Sequence, residues 1–457
     1  NWKVFKEAQR LANIGLKSTV SSMATESAQV YNMMIASGEL ADIITYLRPE
    51  IEKTAISKKI IPLNDLIEKH APNIKKFLDE NKEAKRAMTS YDGNIYSIAT
   101  MLEGSVAKGW VIRKDWLDQV NLPVPKTVDE LYNTLKVFKA TDFNKNGKAD
   151  EIPFFTRDKN TATTELLSLF GVRMKWGVKD GKVVYGEYTP EYKEASKAIA
   201  KWYAEGLIDK EIFTRAGNAR DVLFGDNRGG LTHDWFTSTI SYNDKLKDKV
   251  PGFKLVALAP PADVNGKVWE ESSRSLVNDT GWGISSTNKN PVETIKYFDF
   301  FFSETGRRLI NFGIEGDHYT MVDGKPKFTD KITKGDKPAN VLLGEDGVQA
   351  AVGFLQDFSY EEQLMTKDAS EAIELYKNEN YPVERFPTLA LTPEEKAVYD
   401  LKWPAIDTYM KETAQNWSMG SENVDAAFDN YMSKLKNMGI EDVIKVYQAA
   451  YDRYIKG

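Results

Sequence analysis

Within the stretch TDFNKNGKADEIP (Thr141 to Pro153), oxygen-bearing side chains recur at a spacing suited to a hard cation. They occupy positions 1, 3, 5 and 9 of a calcium loop of the EF-hand type: Asp142, Asn144, Asn146 and Asp150. Gly147 stands at position 6, where such a loop must turn sharply. These residues predict a Ca²⁺ site.

The end of the loop departs from the EF-hand pattern. Position 12, where a bidentate glutamate is expected, is Pro153. Glu151 at position 10 could take that role, and the carbonyl of Lys148 would fill position 7. Coordination would then be saturated, which favours a structural metal over a catalytic one. The alternative is a metal-free polar turn between a helix that ends near Ala140 and the next element.

The segment GGLTHDWF (Gly229 to Phe236) places Trp235 beside polar residues after a glycine-rich turn. An indole packs against the C–H face of a sugar ring while neighbouring polar groups bind its hydroxyls. We therefore interpret Trp235 as a sugar-stacking residue. A core aromatic residue is the open alternative.

Arg274 lies between two tryptophans in WEESSRSLVNDTGW (Trp269 to Trp282). A guanidinium can donate two parallel hydrogen bonds to a carboxylate, so Arg274 could recognise a uronic acid. Pairing of Arg274 with Glu270 or Glu271 on the surface would be the structural alternative.

A third cluster, FLQDFSYEEQ (Phe354 to Gln363), mixes aromatic residues with Asp357, Glu361 and Glu362. Two carboxylates roughly 5 to 9.5 Å apart would suit a glycoside hydrolase. The spacing in sequence does not determine that separation. A solvated helix face is equally compatible with the pattern.

The bulk composition limits the function classes. The 457 residues include 61 basic and 67 acidic side chains, giving a net charge of -6, which argues against a nucleic-acid partner. Cysteine is absent and only three histidines occur, so neither a thiolate metal site nor a multi-histidine site is expected. No apolar run is long enough to cross a bilayer.

Helical periodicity alternates with short apolar runs, which predicts an α/β fold. Thr127 and Glu130 form a capping box before an amphipathic helix that leads into the calcium-like loop. Trp2 to Ala12 predicts a helix followed by a strand, Leu16 to Val20, and a βαβ unit requires an earlier strand before that helix. We expect this first strand to be missing from the chain.

Several ordered blocks resemble the large extracytoplasmic solute-binding proteins of ABC importers. They are the calcium-like loop, GLIDKEIFTR (206–215), GGLTHDWF, VPGFKLVALAPP (250–261) and NPVETIKYFDFFFSETGRRLINFGIEG (290–316). The sequence is most similar to proteins that bind alginate oligosaccharides and to relatives that bind unsaturated glycosaminoglycan disaccharides. The resemblance extends over nearly the whole chain.

The resemblance implies a two-lobe periplasmic-binding-protein fold of type II, with a hinge and a ligand cleft between the lobes. We expect residues 1–100 and about 284–345 in the N-terminal lobe. Residues of about 101–283 and 346–457 would form the C-terminal lobe, which carries the calcium loop.

The resemblance also implies functional residues. A structural Ca²⁺ would be bound by Asp142, Asn144, Asn146, the Lys148 carbonyl, Asp150 and Glu151. Trp235 matches a sugar-stacking tryptophan of the interlobe cleft. Trp282, Tyr360 and Glu361 fall where further ligand contacts are expected. Arg274 or Arg157 would bind a carboxylate or sulfate.

One departure bears on ligand length. The alginate-binding proteins carry an aromatic residue where this chain has Thr100, so one stacking platform is lost. This favours a disaccharide over a tetrasaccharide.

From these observations we expect a non-enzymatic, monomeric protein that captures acidic oligosaccharides for a membrane permease. The expected ligands are unsaturated chondroitin or hyaluronan disaccharides, and the expected location is extracytoplasmic, in the periplasm. Whether a lipid anchors the protein through a preceding segment is left open. Alternatives are an alginate-oligosaccharide-binding protein, a peptide or simple-sugar binder of the same fold, and a glycoside hydrolase or polysaccharide lyase that uses Glu361.

Overall fold

A computed structural model describes residues 2–19, 27–104, 106–350, 353–379 and 381–456. These residues form two α/β lobes, each built on its own sheet and its own apolar core. The two-lobe fold implied by the sequence is confirmed.

The N-terminal lobe contains residues up to Met101 together with Val277 to Phe354. Its three-stranded antiparallel sheet has the order β1-β10-β2, from β1 (Ile43–Leu47), β2 (Ile98–Met101) and β10 (Val277–Ile284). The hairpin of β11 (Tyr319–Val322) and β12 (Lys325–Phe328) also lies in this lobe. Its helices are α1 (Lys3–Ala12), α2 (Ser27–Ser37), α3 (Arg48–Ile56), α4 (Asn64–His70), α5 (Pro72–Glu80), α6 (Lys82–Met88), α13 (Pro291–Phe300), α14 (Glu304–Phe312), α15 (Asp330–Thr333) and α16 (Ala339–Glu345).

The C-terminal lobe contains residues from Val106 to Leu258 and from Phe358 onward. Its four-stranded mixed sheet has the order β4-β7-β3-β8, from β3 (Lys108–Arg113), β4 (Ile152–Phe154), β7 (Gly229–Trp235) and β8 (Leu255–Ala257). A hairpin joins β5 (Trp176–Lys179) to β6 (Lys182–Tyr185). Two 3₁₀ segments span Thr164–Phe170 and Gly186–Tyr188. The helices are α7 (Lys114–Gln119), α8 (Val128–Ala140), α9 (Glu191–Ala204), α10 (Ala219–Gly225), α11 (Phe236–Ile240), α12 (Tyr242–Leu246), α17 (Ser359–Glu362), α18 (Lys367–Asn378), α19 (Pro393–Ser418), α20 (Val424–Met438) and α21 (Ile440–Lys456).

Strand β3 shows how the C-terminal lobe is organised. Side chains alternate between the two faces of a strand, and Trp110 and Ile112 belong to one buried core while Val111 belongs to another. The larger core includes residues of α8, α9 and the C-terminal helices α19 to α21. The sheet is therefore covered by helices on both faces, and Trp235 stands at the end of β7.

In the described part of the chain, three segments cross between the lobes. They lie between Met101 and Val106, between Leu258 and Val277, and between Phe354 and Phe358. A short parallel pair of β9 (Glu270–Glu271) and β13 (Pro382–Val383) lies in the second crossing. Several crossing segments side by side are the structural basis of hinge closure in two-lobe binding proteins.

The lobe boundaries at 283 and 345 expected from the sequence differ from the observed cores. Strand β10 is the central strand of the N-terminal sheet, paired with both β1 and β2. Residues through Phe354 contribute to the same core. The second crossing therefore lies before β10 and the third lies after Phe354, and neither is at residue 283 or 345.

Two of the helices predicted from the sequence are observed, whereas the strand predicted at Leu16 to Val20 is not seen in its described residues. Thr127 caps α8 by accepting a hydrogen bond from the amide of Glu130 at 3.2 Å, and the Glu130 carboxylate accepts one from the amide of Lys126. Helix α1 matches the predicted Trp2 to Ala12 helix to within one residue. Residues 16–19 form no strand, and Val20 lies outside the described residues.

Candidate functional site

A cleft of about 1080 Å³ lies at the junction of the two lobes. Helix α3 and Tyr91 line it from the N-terminal lobe, and residues of β3, β5 and α19 line it from the C-terminal lobe. Two ion pairs link α3 to α19: Lys53 with Asp400 at 3.7 Å and Lys396 with Glu50 at 3.9 Å. The cleft therefore has charged groups of both lobes on its rim.

Trp235 lies at the end of β7, next to this cleft. In the antiparallel pairing of β3 and β7 it stands directly opposite Lys108, which lines the cleft. Directly opposed residues of an antiparallel pair share one face of the sheet. Trp235 is only partly buried, so it is not a core aromatic residue, and its indole and the Lys108 amine occupy neighbouring positions on the same face.

Arg274 joins Trp235 to the third cluster predicted from the sequence. Its guanidinium carbon lies 5.5 Å from the centre of the Trp235 ring, within the range of a cation–π contact. One of its nitrogens donates to Glu361 Oε1 at 2.8 Å. The other Glu361 oxygen is buried and has no hydrogen-bond partner among the described residues. Arg274 thus pairs with Glu361, and the alternative of a surface pair with Glu270 or Glu271 is not observed.

Tyr360 is half-buried beside this ion pair. Burial, reinforced by the Glu361 carboxylate, raises the pKa of the Tyr360 phenol to about 12. The phenol therefore keeps its proton at neutral pH and is available as a hydrogen-bond donor. The structure places Trp235, Arg274, Tyr360 and Glu361 in one neighbourhood.

Arg157 follows β4, the strand next to β7, and its guanidinium already has hydrogen-bond partners. It binds Asp234 through two nitrogens, at 2.6 and 3.1 Å, and donates to Ser238 at 3.0 Å. Arg220 approaches the same carboxylate at 3.4 Å. Two guanidinium groups therefore share the buried Asp234 carboxylate immediately before Trp235, and Asp221 is a second acidic neighbour of Arg220.

Trp282 is not a cleft residue. Its side chain is fully buried and stacks on Phe298 in the N-terminal core, with ring centres 3.3 Å apart. The cause is its position in β10, the central strand of the N-terminal sheet, directly opposite Thr45 and Ile98. The expectation that Trp282 packs against a ligand is therefore corrected: it stabilises the lobe.

A buried ionic network below Trp235 was not foreseen from the sequence. Glu165 bridges Lys108 and His233, and His233 also contacts Glu270 at 3.0 Å. Burial opposes ionisation of Glu165, but the cations His233 and Lys108 outweigh it and lower its pKa to about 2. Burial likewise disfavours charged His233, but Glu270 and Glu165 raise its pKa to about 9. The only sequence signals were Lys108 at the start of an apolar strand and His233 within GGLTHDWF.

The calcium-like loop is preshaped by its own side chains. Both oxygens of Asp142 accept backbone hydrogen bonds, from Asn146 and Gly147. The amides of Asn144 and Asn146 each donate to Asp150 Oδ1 at 3.1 Å, so three predicted ligands converge. Rotation of the Asn144 and Asn146 side-chain amides by 180° about their Cβ–Cγ bonds would turn their oxygens, in place of their nitrogens, toward Asp150.

Glu151 gives the clearest test of the loop as a cation site. Its Oε1 accepts from the amides of Phe143 and Asn144, whereas its buried Oε2 has no hydrogen-bond partner among the described residues. An unpaired buried carboxylate oxygen is costly unless it meets a cation or donor. The residues therefore fit a calcium ion, with Lys148 following the turn at Gly147, whose φ is +78°.

A second acidic group, Asp317, His318 and Asp346, could in principle bind a metal. His318 Nδ1 accepts the amide of Ile314, and Nε2 lies 3.0 Å from Asp346. Lys3 bonds both carboxylates. The cluster is already neutralised as an ion-pair network that attaches α1 to the lobe.

Among the helices of the described part of the chain, none is long and apolar enough to cross a membrane. The model of the bacterial extracellular solute-binding protein family matches residues 15–308, more than half of the chain. A model of a domain of unknown function matches residues 399–456.

Three proteins illustrate the similarity. The structure of the alginate-binding protein AlgQ2 without calcium ion is 41% identical, with a TM-score of 0.87, and the match covers 99% of this chain and 94% of that one. The fructooligosaccharide ABC transporter substrate-binding protein FusA of Streptococcus pneumoniae is 29% identical over 94% of this chain and 83% of its own. Its structures with kestose and, as an EF-hand mutant, with fructo-nystose have TM-scores of 0.80 and 0.78, at 26% identity, and each match covers 100% of this chain and 96% of that one. The polygalacturonan/rhamnogalacturonan-binding protein YtcQ of Bacillus subtilis is 26% identical over 98% of this chain and 88% of its own.

Proposed function

The chain belongs to the bacterial extracellular solute-binding protein family, and from this membership we propose that it captures acidic oligosaccharides for an ABC importer. The ligands proposed are unsaturated uronyl disaccharides derived from glycosaminoglycans such as chondroitin and hyaluronan. Family membership implies an extracytoplasmic location, and we propose the periplasm and a monomeric state.

The observation that carries the proposal is the combination of Trp235 with neighbouring cations beside the cleft. Arg274 lies over the indole and Lys108 stands opposite it in the sheet. A sugar ring can stack on the indole while its carboxylate meets a cation. The similarity to an alginate-binding and a polygalacturonan-binding protein, both recognising polymers of uronic acids, supports an acidic ligand.

The proposed mechanism is closure of the two lobes on the ligand. Arg274 lies on the second crossing segment and bonds Glu361, which follows the third crossing. A ligand carboxylate that engages Arg274 would compete with Glu361 and so couple binding to the hinge. Such a ligand shifts an open–closed equilibrium by its differential affinity for the two states. The permease would then select the closed state.

The second candidate is alginate-oligosaccharide binding, favoured by the 41% identity to AlgQ2. The two candidates share the stacking residue and the cations but differ in the second sugar, which is a hexosamine in glycosaminoglycan disaccharides and a uronate in alginate.

We also propose that the loop from Asp142 to Glu151 binds a structural Ca²⁺ through the ligands named above. The unpaired Glu151 oxygen is the local observation that supports it. The relatives with structures described as lacking calcium or as an EF-hand mutant point the same way. When bound, the ion would hold together the loop between α8 and β4, away from Trp235.

Titration calorimetry with unsaturated chondroitin disaccharide, alginate trisaccharide and maltose tests the ligand class. We expect heat from the first, and absence of heat from the first two would defeat the proposal. Trp235→Ala should abolish that binding, while Trp2→Ala, at a half-exposed tryptophan just before α1, should leave it unchanged.

Product analysis separates binding from catalysis. The relatives are transporter components, so we expect chondroitin fragments to be recovered intact after long incubation with the protein. Turnover of the fragments would instead support the hydrolase or lyase alternative.

A further inference from the structure

A second, smaller pocket of about 290 Å³ lies on the N-terminal side of the hinge. Thr100 and Leu102 line it from the end of β2, and Asn278 and Thr280 line it from β10. Tyr360 lines it from α17, just after the third crossing segment, and is followed in the chain by Glu361, the partner of Arg274. The pocket is therefore adjacent to the site that the proposed function uses.

An irregularity in the sheet creates the pocket. Val277 pairs with Met101 and Gly281 pairs with Ala99, so three residues of β10 face the single residue Thr100. Bulges of this kind redirect side chains and are common beside binding sites. Asn278 Oδ1 accepts the amide of Thr280 at 2.9 Å, and the Asn278 amide nitrogen has no hydrogen bond among the described residues.

The wall of this pocket requires glycine at position 353. A Cβ at Gly353 would lie 2.3 Å from the Trp282 indole nitrogen, so no side chain fits there without displacing the core. That buried nitrogen has no acceptor among the described residues. The wall at Gly353 thus borders an unsatisfied donor in addition to the polar side chains of the pocket.

The lining has a distinct chemistry. The described residues that line the pocket include amides, hydroxyls and apolar groups such as Leu102 and Phe354, but no charged side chain. A carboxylate or sulfate would lose its hydration there without gaining a counter-ion, which is unfavourable. A neutral group with a donor, an acceptor and a methyl is matched by this set.

The available hydrogen-bonding atoms are complementary to an amide. Gln349 donates its amide nitrogen to Asn311 at 2.7 Å, and its carbonyl oxygen has no hydrogen bond among the described residues. That oxygen can accept an N–H. The Asn278 amide nitrogen and the Tyr360 hydroxyl, which itself bonds Gln356, can donate to a carbonyl. Leu102 and Phe354 offer apolar contact to a methyl group.

We infer that this pocket binds the acetamido group of an N-acetylhexosamine unit. The adjacent unit of the same ligand would stack on Trp235, with its acid near Arg274. The inference rests on the proposed function for the uronyl half of the ligand only, since the acetamido contacts need no uronate.

The test compares ligands that differ only at this group. Calorimetry is performed with unsaturated hyaluronan disaccharide and its analogue with a hydroxyl in place of the acetamido group, and with the neutral pair N,N′-diacetylchitobiose and cellobiose. Loss of a set of buried hydrogen bonds predicts at least about tenfold weaker binding of the hydroxyl analogue. Thr100→Phe, which fills the pocket, should remove that preference. Thr45→Phe, at an exposed position of the same sheet, should preserve it, and melting curves verify folding of both variants.

The outcomes separate this inference from the proposed function. Equal affinity of the wild-type protein for both hyaluronan-type ligands, or a preference that survives Thr100→Phe, overturns the acetamido pocket while uronyl binding stands. If neither uronyl disaccharide binds but N,N′-diacetylchitobiose is preferred over cellobiose and Thr100→Phe removes this preference, the pocket stands and the acidic-ligand proposal fails. If no ligand pair shows a preference, the pocket is refuted.

Discussion

Substitution of Glu165 by Gln tests the buried network below Trp235. Glu165 is 3% exposed and bonds both Lys108 and His233. The change keeps the shape of the side chain but removes the negative charge between two cations. We expect a loss of stability because breaking a buried pair leaves uncompensated charge.

The magnitude follows from the Glu165 pKa. Its decrease from 4.5 to about 2 corresponds to about 3 kcal/mol, at roughly 1.4 kcal/mol per pH unit. The raised pKa of His233 reports partly the same charges, together with those of Glu270, so the two contributions are not added. We expect Glu165→Gln to lower the free energy of unfolding by about 3 kcal/mol at pH 6.

The sign of the pH dependence is fixed by the direction of the shift. The folded pKa of His233 is raised, so its stabilisation is complete below pH 6.5 and is lost as the pH rises through 9. The wild-type protein should therefore lose about 3 kcal/mol between pH 6 and 9 from this group. In the variant only Glu270 remains as a partner of His233, so the loss should be smaller.

Urea unfolding at pH 6, 7.5 and 9, followed by circular dichroism, measures both effects. The matched control is Glu345→Gln, which removes an exposed ion pair with Lys337 and should cost below about 1 kcal/mol. Equal destabilisation by the two substitutions would refute the reasoning. A pH profile of Glu165→Gln parallel to that of the wild type would refute it as well.

The other predictions concern the two tryptophans and the calcium loop. Trp282→Ala should lower the free energy of unfolding by roughly 3–5 kcal/mol in urea, because it empties a core site, whereas Trp235→Ala should change it little; similar costs at both positions would contradict the assigned environments. Removal of Ca²⁺ by a chelator should lower the melting temperature and leave the calorimetric affinity for unsaturated chondroitin disaccharide nearly unchanged; a large loss of affinity at constant melting temperature would contradict a structural role. Glu151→Gln should make the melting temperature insensitive to the chelator, and a chelator effect equal to that in the wild type would exclude Glu151 as a ligand.

The calcium-like loop and the candidate stacking residue Trp235 could be predicted from the sequence because their geometry is local. The loop ligands lie within ten consecutive residues, and their convergence depends on turns that Asn, Asp and Gly encode directly. Trp235 follows a glycine-rich strand whose pattern was recognisable. The capping box at Thr127 and the amphipathic first helix were likewise predicted by short-range signals.

The tertiary structure alone decided the environment of the remaining residues. Trp282 and Trp235 both follow polar, glycine-containing segments, but β10 became the central strand of a sheet and buried Trp282, whereas β7 ends at the cleft. Arg274 and Glu361 are 87 residues apart in the chain, and Lys108 and Glu165 are 57 apart. Such contacts depend on which strands pair and where the chain crosses the hinge, and side-chain type and local spacing carry no information on either. The sequence by itself therefore determined the fold class, the candidate metal loop and one candidate binding residue, while strand pairing decided which charges and aromatic rings meet beside the cleft.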